Sequence, residues 1–341
     1  MDGLKKKKER VIWLNVLHIW DQAGVAFILA KFQQINGNES KVIRVKNTDK
    51  YGIDEFYREY GLFVTHEELV HKSIEEAKRA DVIHIHSLPE MVINIRNTYK
   101  KSKVIILHYH GTDIRGLSDD NSRTVSLRNI LGPKNIARKI RNRRLHIKAQ
   151  KLSDRVIVST PDLIRLVKGS IFLPNPIDTD HFNKKMTTER RTDNLNKGIF
   201  VNSEVTNVEL AMDYCKHKKI NLDIEIYDRT KNPIDYKDIP NFLKKYDVYV
   251  DLRFVNRKLL KNLSKTALEA LACGLRVLNY NLEHVDNLPA EHCPTNVVTT
   301  LSSIYSSKRS TSEAVKLELE LTTLNVIYGV PVLLRKVLRH N

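Results

Sequence analysis

Cysteine, acidic side chains and long apolar runs are all scarce in this chain. Three cysteines in 341 residues, Cys215, Cys273 and Cys293, are an odd number without paired spacing. That pattern argues against a disulfide framework and a zinc knot, and makes the cytosol the expected compartment. No apolar run reaches the ~18 residues of a spanning helix. The opening MDGLKKKKERVIWLNVL passes from charge directly into an apolar strand, without a small-residue cleavage site, so no signal peptide is expected. Acidic residues number 40 against 57 Lys and Arg, a formal net charge of +17. Such a balance favours phosphates on nucleic acid, on lipid head groups or on a small ligand. What remains is an ordinary folded composition, 41% hydrophobic and 28% charged, which excludes wholesale disorder. At this length two domains are the default.

The acid shortage is sharpest from Asn121 to Ser153, where no Asp or Glu occurs. Ile136, Ile140 and Ile147 fall on one helical stripe of that segment, so it reads as a basic amphipathic helix. Two readings stay open. The stripe packs on a core behind a solvated basic back, or the helix rests on an anionic membrane surface through Arg138, Lys139, Arg141, Arg143, Arg144 and Lys148.

Strand and helix signals alternate along the rest. RVIWLNVLHI, KVIRVKN, DVIHIHS, KVIILHYHG, DRVIVST and SIFLP read as strands, and AGVAFILAKFQQI, HEELVHKSIEEAKRA and PDLIRLVKG as helices. After a polar break with two prolines the alternation resumes with GIFVNS, NVELAMDYCKHKK, LDIEIYD, NFLKKY, DVYVDLRF, SKTALEALACG and RVLNY. Regular alternation implies parallel sheets with helices on both faces. The expected organisation is an α/β domain over 1–183, a linker over 184–197, a second α/β domain over 198–310, and a helical segment over 311–341 that packs back on the first domain, with a cleft between the two domains.

Ligands of such sheets bind beyond the carboxyl ends of the strands. Gly24 marks one strand-to-helix turn there, where free helix N–H groups suit an anion. His84, His86, His108 and His110 occupy two more strand ends. No cysteine or carboxylate completes a ligand set beside them, so hydrogen-bonded core histidines are expected at His84 and His108, and no metal. His110 differs, because Gly111, Thr112, Asp113 and Arg115 beside it suit sugar hydroxyls or phosphate. The third place is SKTALEALACG. Ser264 reads as its N-cap and Gly274 as its C′ glycine, with Leu268, Leu271 and the alanines on a dry side and Lys265, Thr266, Glu269 and Cys273 on the other. Arg253, Arg257, Lys258 and Lys261 precede it and make a cationic approach to the helix dipole. Glu269 is then either a ribose ligand or half of an exposed pair with Lys265.

HYHGTDIR, DRVIVSTPDL, LPNPIDTDHF, YDVYVDL and SKTALEALACGLRVL stand in the order and spacing of glycosyltransferase family 4, and the chain resembles its short archaeal-type members over roughly residues 10 to 285. The resemblance implies a GT-B fold of two Rossmann-like domains facing a central cleft. It further implies metal-independent, retaining transfer of a hexose-type sugar from a nucleotide-diphosphate donor, without other cofactors. By position, Glu269 would bind the donor ribose, Ser264, Lys265 and Thr266 the diphosphate, His110 the transferred sugar, and Gly24, with Asp113 and Arg115, the acceptor side. Two positions depart from the family pattern. Lys261 stands where the first glutamate of E-x7-E belongs, and IFVNSEVTNVE lacks the family's Arg and Lys. Charge for the leaving diphosphate would then come from Lys265, Lys261 or Arg253.

The leading expectation is a transferase acting on a glycan or lipid-linked acceptor at the cytosolic membrane face. The alternative is a non-catalytic GT-B scaffold or partner subunit of a glycan-assembly system. A nucleic-acid binder ranks last, because no aromatic-interleaved basic sheet is visible.

Overall fold

The structure is a computed structural model that describes residues 13–111, 113–115, 133–184, 197–202, 206–255 and 257–306. The 311–341 segment and most of the 184–197 linker lie outside the described residues, as do the side chains of Arg138 and Lys139. Both main sheets lie in the first of two compact units, which ends at Leu301.

The first sheet has seven strands: β1 (Asn15–Ile19), β2 (Glu39–Val45), β3 (Gly61–Val64), β4 (Val82–His86), β5 (Val104–Tyr109), β6 (Arg155–Val158) and β7 (Ile171–Phe172). Their order is β3-β2-β1-β4-β5-β6-β7, and every pairing is parallel. Helices Val25–Ile35, Glu68–Ala77, Pro89–Tyr99 and Pro133–Leu152 alternate with these strands. Central strands covered on both faces need continuous apolar runs, which is why β4 and β5 read so plainly in the sequence. Ile83, Ile85, Ile105, Leu107 and Tyr109 of those strands meet Val92 and Ile95 of the Pro89–Tyr99 helix and Ala149 of the basic helix in one core. The strand order reverses at β1 and β4, the kind of switch point beyond which parallel sheets bind ligands.

The second sheet contains β8 (Lys197–Asn202), β9 (Asp223–Asp228), β10 (Val248–Val250), β13 (Arg276–Leu278) and, antiparallel at the edge, β14 (His284–Val285). Their order is β14-β13-β10-β8-β9. A two-stranded hairpin, β11 (Phe254–Val255) with β12 (Lys258–Leu259), follows β10. Helices Val208–His217, Ile239–Leu243, Lys265–Ala272 and Pro294–Ser306 complete this part.

Three local expectations differ from what folds. PDLIRLVKG forms only a short 3-10 turn at Pro161–Arg165, with Leu163 and Val167 buried and Ile164 and Leu166 out in solvent. Two inward side chains are too few to hold a longer helix by packing. The Pro89–Tyr99 helix has no counterpart in the sequence reading; it opens with proline at its first position and buries Met91, Val92 and Ile95. The basic helix is anchored by Ala149, while Ile140 and Ile147 are 47% and 43% exposed. These two isoleucines therefore do not pack on the core.

The segment after β7 ties the two sheets together. Asp178, fully buried, accepts from Lys31 Nζ at 2.9 Å and from Tyr57 OH at 2.8 Å. Tyr57 OH lies 3.2 Å from Tyr236 OH, and the Tyr236 amide donates to Tyr51 O at 2.6 Å. His292 Nδ1 donates to the carbonyl of Asn175 at 2.8 Å, and Ile177 N donates to His292 O at 3.0 Å.

Candidate functional site

A cavity of about 340 Å³ opens between the carboxyl ends of β1 and β2 and those of the second sheet. From the first sheet it is lined by Trp20 to Ala23, Arg44, and Thr48 to Tyr51; from the second by Arg229, Tyr236, Lys265, Thr266 and Glu269.

The Lys265–Ala272 helix presents its N-terminus to this space. Ser264 caps it, its hydroxyl accepting from Ala267 N at 3.0 Å. Asp251 Oδ2 holds the Ser264 amide at 2.7 Å, which fixes the entry of the helix to the end of β10. The amides of Lys265 and Thr266, in the first turn, have no intrahelical acceptor, so they remain donors toward the cleft. At the other end Gly274, at φ +88°, donates to Leu271 O, and Leu275 N donates to Ala270 O, a Schellman closure. Every residue from Ala267 to Ala272 is buried, Glu269 included at 4% exposure. Lys265 Nζ bonds Glu269 Oε1 and lies 5.4 Å from the centre of the Tyr236 ring. The lysine–glutamate pair foreseen as an exposed alternative is therefore real but enclosed. Burial and the Glu269 carboxylate hold the Tyr236 phenol well above its ordinary pKa.

Across the cleft, Gly24 adopts φ +81° at the start of the Val25–Ile35 helix. A Cβ placed there would lie 4.0 Å from Lys265 Nζ, so this turn and the Lys265–Ala272 helix are direct neighbours. The N-terminus beside Gly24 is not open to an outside anion as the sequence suggested. Asp21 accepts from Gly24 N through Oδ2 and from Ala26 N through Oδ1, both at 2.7 Å. Arg44 balances that carboxylate at 3.1 Å and reaches Asp54 at 2.6 Å.

Other residues singled out from sequence sit elsewhere. Arg253 is held by Asp251 and the carbonyl of Asn262, and Lys261 is exposed beyond the hairpin; neither lines the cavity. Asp113 accepts from the amides of His110 and Gly111 and from Ser87 Oγ, so it shapes the turn after β5. Arg115 makes a forked pair with Asp162, at 2.8 and 3.1 Å, and donates to Thr160 Oγ1. Conversely, Arg229, Arg44, Lys50 and Tyr51 line the cavity without having been singled out. The placement of Arg229 directly after a predicted strand was the available signal.

The histidines form a buried array on one face of the first sheet. His18 sits beside His84, and His86 beside His108, in register on neighbouring strands. The amide oxygen of Gln33 only accepts, so His18 Nε2 donates to it at 2.8 Å. The bare His18 Nδ1 then accepts from His86 Nε2 at 3.0 Å, and His86 Nδ1 from His110 Nε2 at 2.9 Å. His110 Nδ1 accepts from Ser159 Oγ at 2.9 Å; Ser159 Oγ accepts from His108 Nε2 at 2.8 Å; His108 Nδ1 accepts from His84 Nε2 at 3.1 Å. One direction of donation satisfies the whole chain with every ring neutral. Burial lowers the pKa of all five, that of His18 to about 4. For His110 the carboxylates of Asp113 and Asp21 pull the other way. Both ring nitrogens of His110 are thus engaged by protein groups, and the residue does not line the cavity. Two trios, His18 with His84 and His86, and His86 with His108 and His110, bring ring nitrogens within 4.8 Å of one another, close enough for a metal ion. An ion there would have to displace the chain of hydrogen bonds.

On the outer surface Arg141, Arg143, Arg144 and Lys148 are exposed on the same helix as Ile140 and Ile147. Among the described residues no helix is long and apolar enough to cross a membrane.

No protein-family model and no curated protein matches the sequence. Solved structures do match the fold. An alpha-glucosyltransferase in complex with UDP and a 13-mer DNA containing a central A:G mismatch superposes with a TM-score of 0.51 at 12% identity, over 92% of this chain and 95% of that one. Sucrose-phosphate synthase from Thermosynechococcus elongatus gives 0.48 at 10% identity, over 90% and 94%. UDP-GlcNAc 2-epimerase from Neisseria meningitidis bound to UDP-GlcNAc gives 0.40 at 12% identity, over 91% and 100%. With two parallel α/β sheets flanking one cleft and a likeness of this extent, the chain has the GT-B fold.

Proposed function

We propose that the protein is a glycosyltransferase whose cleft takes a nucleoside-diphosphate sugar and passes the sugar, with retention, to a glycan or lipid-linked acceptor. The observation that carries this reading is the cavity lined by Lys265, Thr266 and Glu269, with the Gly24 turn beside Lys265 at its edge. A helix N-terminus with two free amides and a cation suits a diphosphate. A carboxylate one turn further in suits a diol, because each of its oxygens accepts from a hydroxyl. Stabilising the charge that develops on the departing diphosphate is the main electrostatic task of such a transfer. The resemblance to glycosyltransferase family 4, which gave Glu269 to the ribose, points the same way. Acceptor-side roles for Asp113 and Arg115 would be indirect, through the shape of the turn after β5.

The exposed Ile140 and Ile147 among Arg143, Arg144 and Lys148 support an anionic membrane surface as the place of action. Exposed apolar side chains gain by burial at the lipid head-group boundary, whereas a phosphodiester backbone has nothing apolar to offer them. The DNA in the alpha-glucosyltransferase complex belongs to that protein's setting.

Thermal denaturation of the full chain with UDP, GDP and their sugar conjugates tests the reading. At least one diphosphate raises the melting temperature, and Glu269→Ala removes the rise without removing the fold. If no diphosphate at millimolar concentration shifts the wild-type transition, the donor reading falls and the non-catalytic scaffold replaces it.

A further inference from the structure

Among the cations lining the cavity, Arg44 and Lys265 are paired with carboxylates and Arg229 is not. Arg44 is engaged by Asp21 and Asp54, and Lys265 by Glu269. Asp49 is spent on the amides of Tyr51 and Asp54, both at 2.9 Å. Arg229 stands apart. Its amide donates to Asn202 O at the end of β8, which fixes its backbone just past the carboxyl end of β9. Its guanidinium lies 3.8 Å from the centre of the Tyr51 ring, half-buried, and among the described residues no carboxylate is paired with it. The arginine thus reaches from the second sheet to the first across the mouth of the cavity.

We propose that Arg229 is the residue that grips the diphosphate, and that Tyr51 holds its guanidinium flat for the purpose. This rests on the donor reading above and adds the anion subsite to it. A planar guanidinium presents parallel N–H donors that match two phosphate oxygens, and stacking on an aromatic face leaves that edge free. An arginine lacking a carboxylate partner keeps its full charge for a ligand, whereas Lys265 must first be shared with Glu269. The position also answers a chemical need, because the two candidate cations Lys261 and Arg253 do not line the cavity. A structural alternative exists: the Arg229–Tyr51 contact could serve only to clip the two sheets together, as a cation–π pair.

Calorimetric titration of the full chain with UDP, UMP, uridine and inorganic pyrophosphate separates these. The wild type is expected to prefer UDP over UMP. Arg229→Ala weakens UDP about 10- to 100-fold, the scale of a lost charge-assisted contact, weakens pyrophosphate alongside it, and leaves uridine unchanged. Arg229→Lys restores the charge but not the fork, and recovers only part of the loss. Tyr51→Leu keeps the charge and loosens the stack, giving a smaller loss. If Arg229→Ala binds UDP and pyrophosphate as the wild type does, and only melts earlier, the residue is a clip and the proposal is overturned. If the wild type binds no nucleotide at all, the donor reading fails, and pyrophosphate alone then decides Arg229. Pyrophosphate binding that disappears in Arg229→Ala upholds the anion subsite; pyrophosphate binding that is absent or unchanged removes it.

Discussion

Ser159 Oγ stands between His108 Nε2 and His110 Nδ1, at 2.8 and 2.9 Å, and joins a histidine of β5 to the one just past its end in a single directed chain. The consequence is a pH dependence with a definite sign. Burial lowers the native pKa of all five histidines below the ordinary 6.5, that of His18 to about 4. Below pH 6.5 the unfolded chain binds protons that the native chain refuses. The stability they contribute is therefore complete above pH 6.5 and is lost as pH falls toward 4. His18 alone accounts for roughly 3 kcal/mol across that window. Asp54, raised by burial to about 6, works in the opposite direction but is one group against five. Urea denaturation at pH 7.5, 6, 5 and 4.5 is expected to show a steep decline in the midpoint. A flat profile between pH 6.5 and 5 would mean that the rings are charged in the native state.

The enclosed pair of Lys265 and Glu269 predicts a strong asymmetry between single and double substitution. Lys265→Met strands a carboxylate that is 5% exposed, at a cost of about 3 kcal/mol. Lys265→Met combined with Glu269→Leu removes both charges and costs much less. A double-mutant cycle measured by denaturation reads the coupling directly; additive losses would show that the two side chains do not depend on each other.

Gly24 separates backbone strain from cavity shape. A methyl group there would meet Ile53 Cγ2 at 3.6 Å and Lys265 Nζ at 4.0 Å, both ordinary contacts. Gly24→Ala therefore costs about 1 kcal/mol, from the left-handed φ of +81° alone. Gly24→Val adds bulk toward Lys265 and is expected to weaken nucleotide binding beyond its effect on stability. Parallel melting and titration curves on the two variants check this, and equal nucleotide affinity in wild type and Gly24→Val would sever the turn from the site.

Vesicle flotation addresses the basic helix. Recovery is expected with vesicles containing phosphatidylserine and not with neutral ones. Arg143→Glu with Arg144→Glu abolishes it, and Ile140→Ser with Ile147→Ser reduces it at unchanged net charge. Loss in the charge variant without loss in the isoleucine variant would indicate surface attraction with no apolar insertion.

How much of this was legible in the residues follows from the range of the forces involved. The helix at SKTALEALACG carries its own start and stop: Ser264 satisfies an amide three residues on, and Gly274 takes the left-handed φ that ends the helix. Such signals act over one or two turns, so the sequence alone determined this element, the buried strands β4 and β5, and the alternation that requires parallel sheets. The GT-B arrangement was legible only through resemblance. The Pro89–Tyr99 helix escaped because its apolar residues crowd into the short run MVINI, which shows no clear helical period, and the PDLIRLVKG helix was overcalled for want of neighbours to pack against.

Tertiary structure alone decided which side chains share a space. Gly24 and Lys265 are far apart in the chain and adjacent in the cleft, and nothing local announces it. Charge by itself could not sort the cations: Arg253 and Lys261 were as basic as Arg229, but of these three Arg229 lines the cavity, and among the described residues no carboxylate is paired with it. The two histidine pairs were visible as strand-end residues, whereas His18 of β1 and Ser159, just past the end of β6, make them one chain and join them only through the pairing of the strands. Periodicity fixes the face a residue takes on its own element, and only the packing of elements fixes what that face meets.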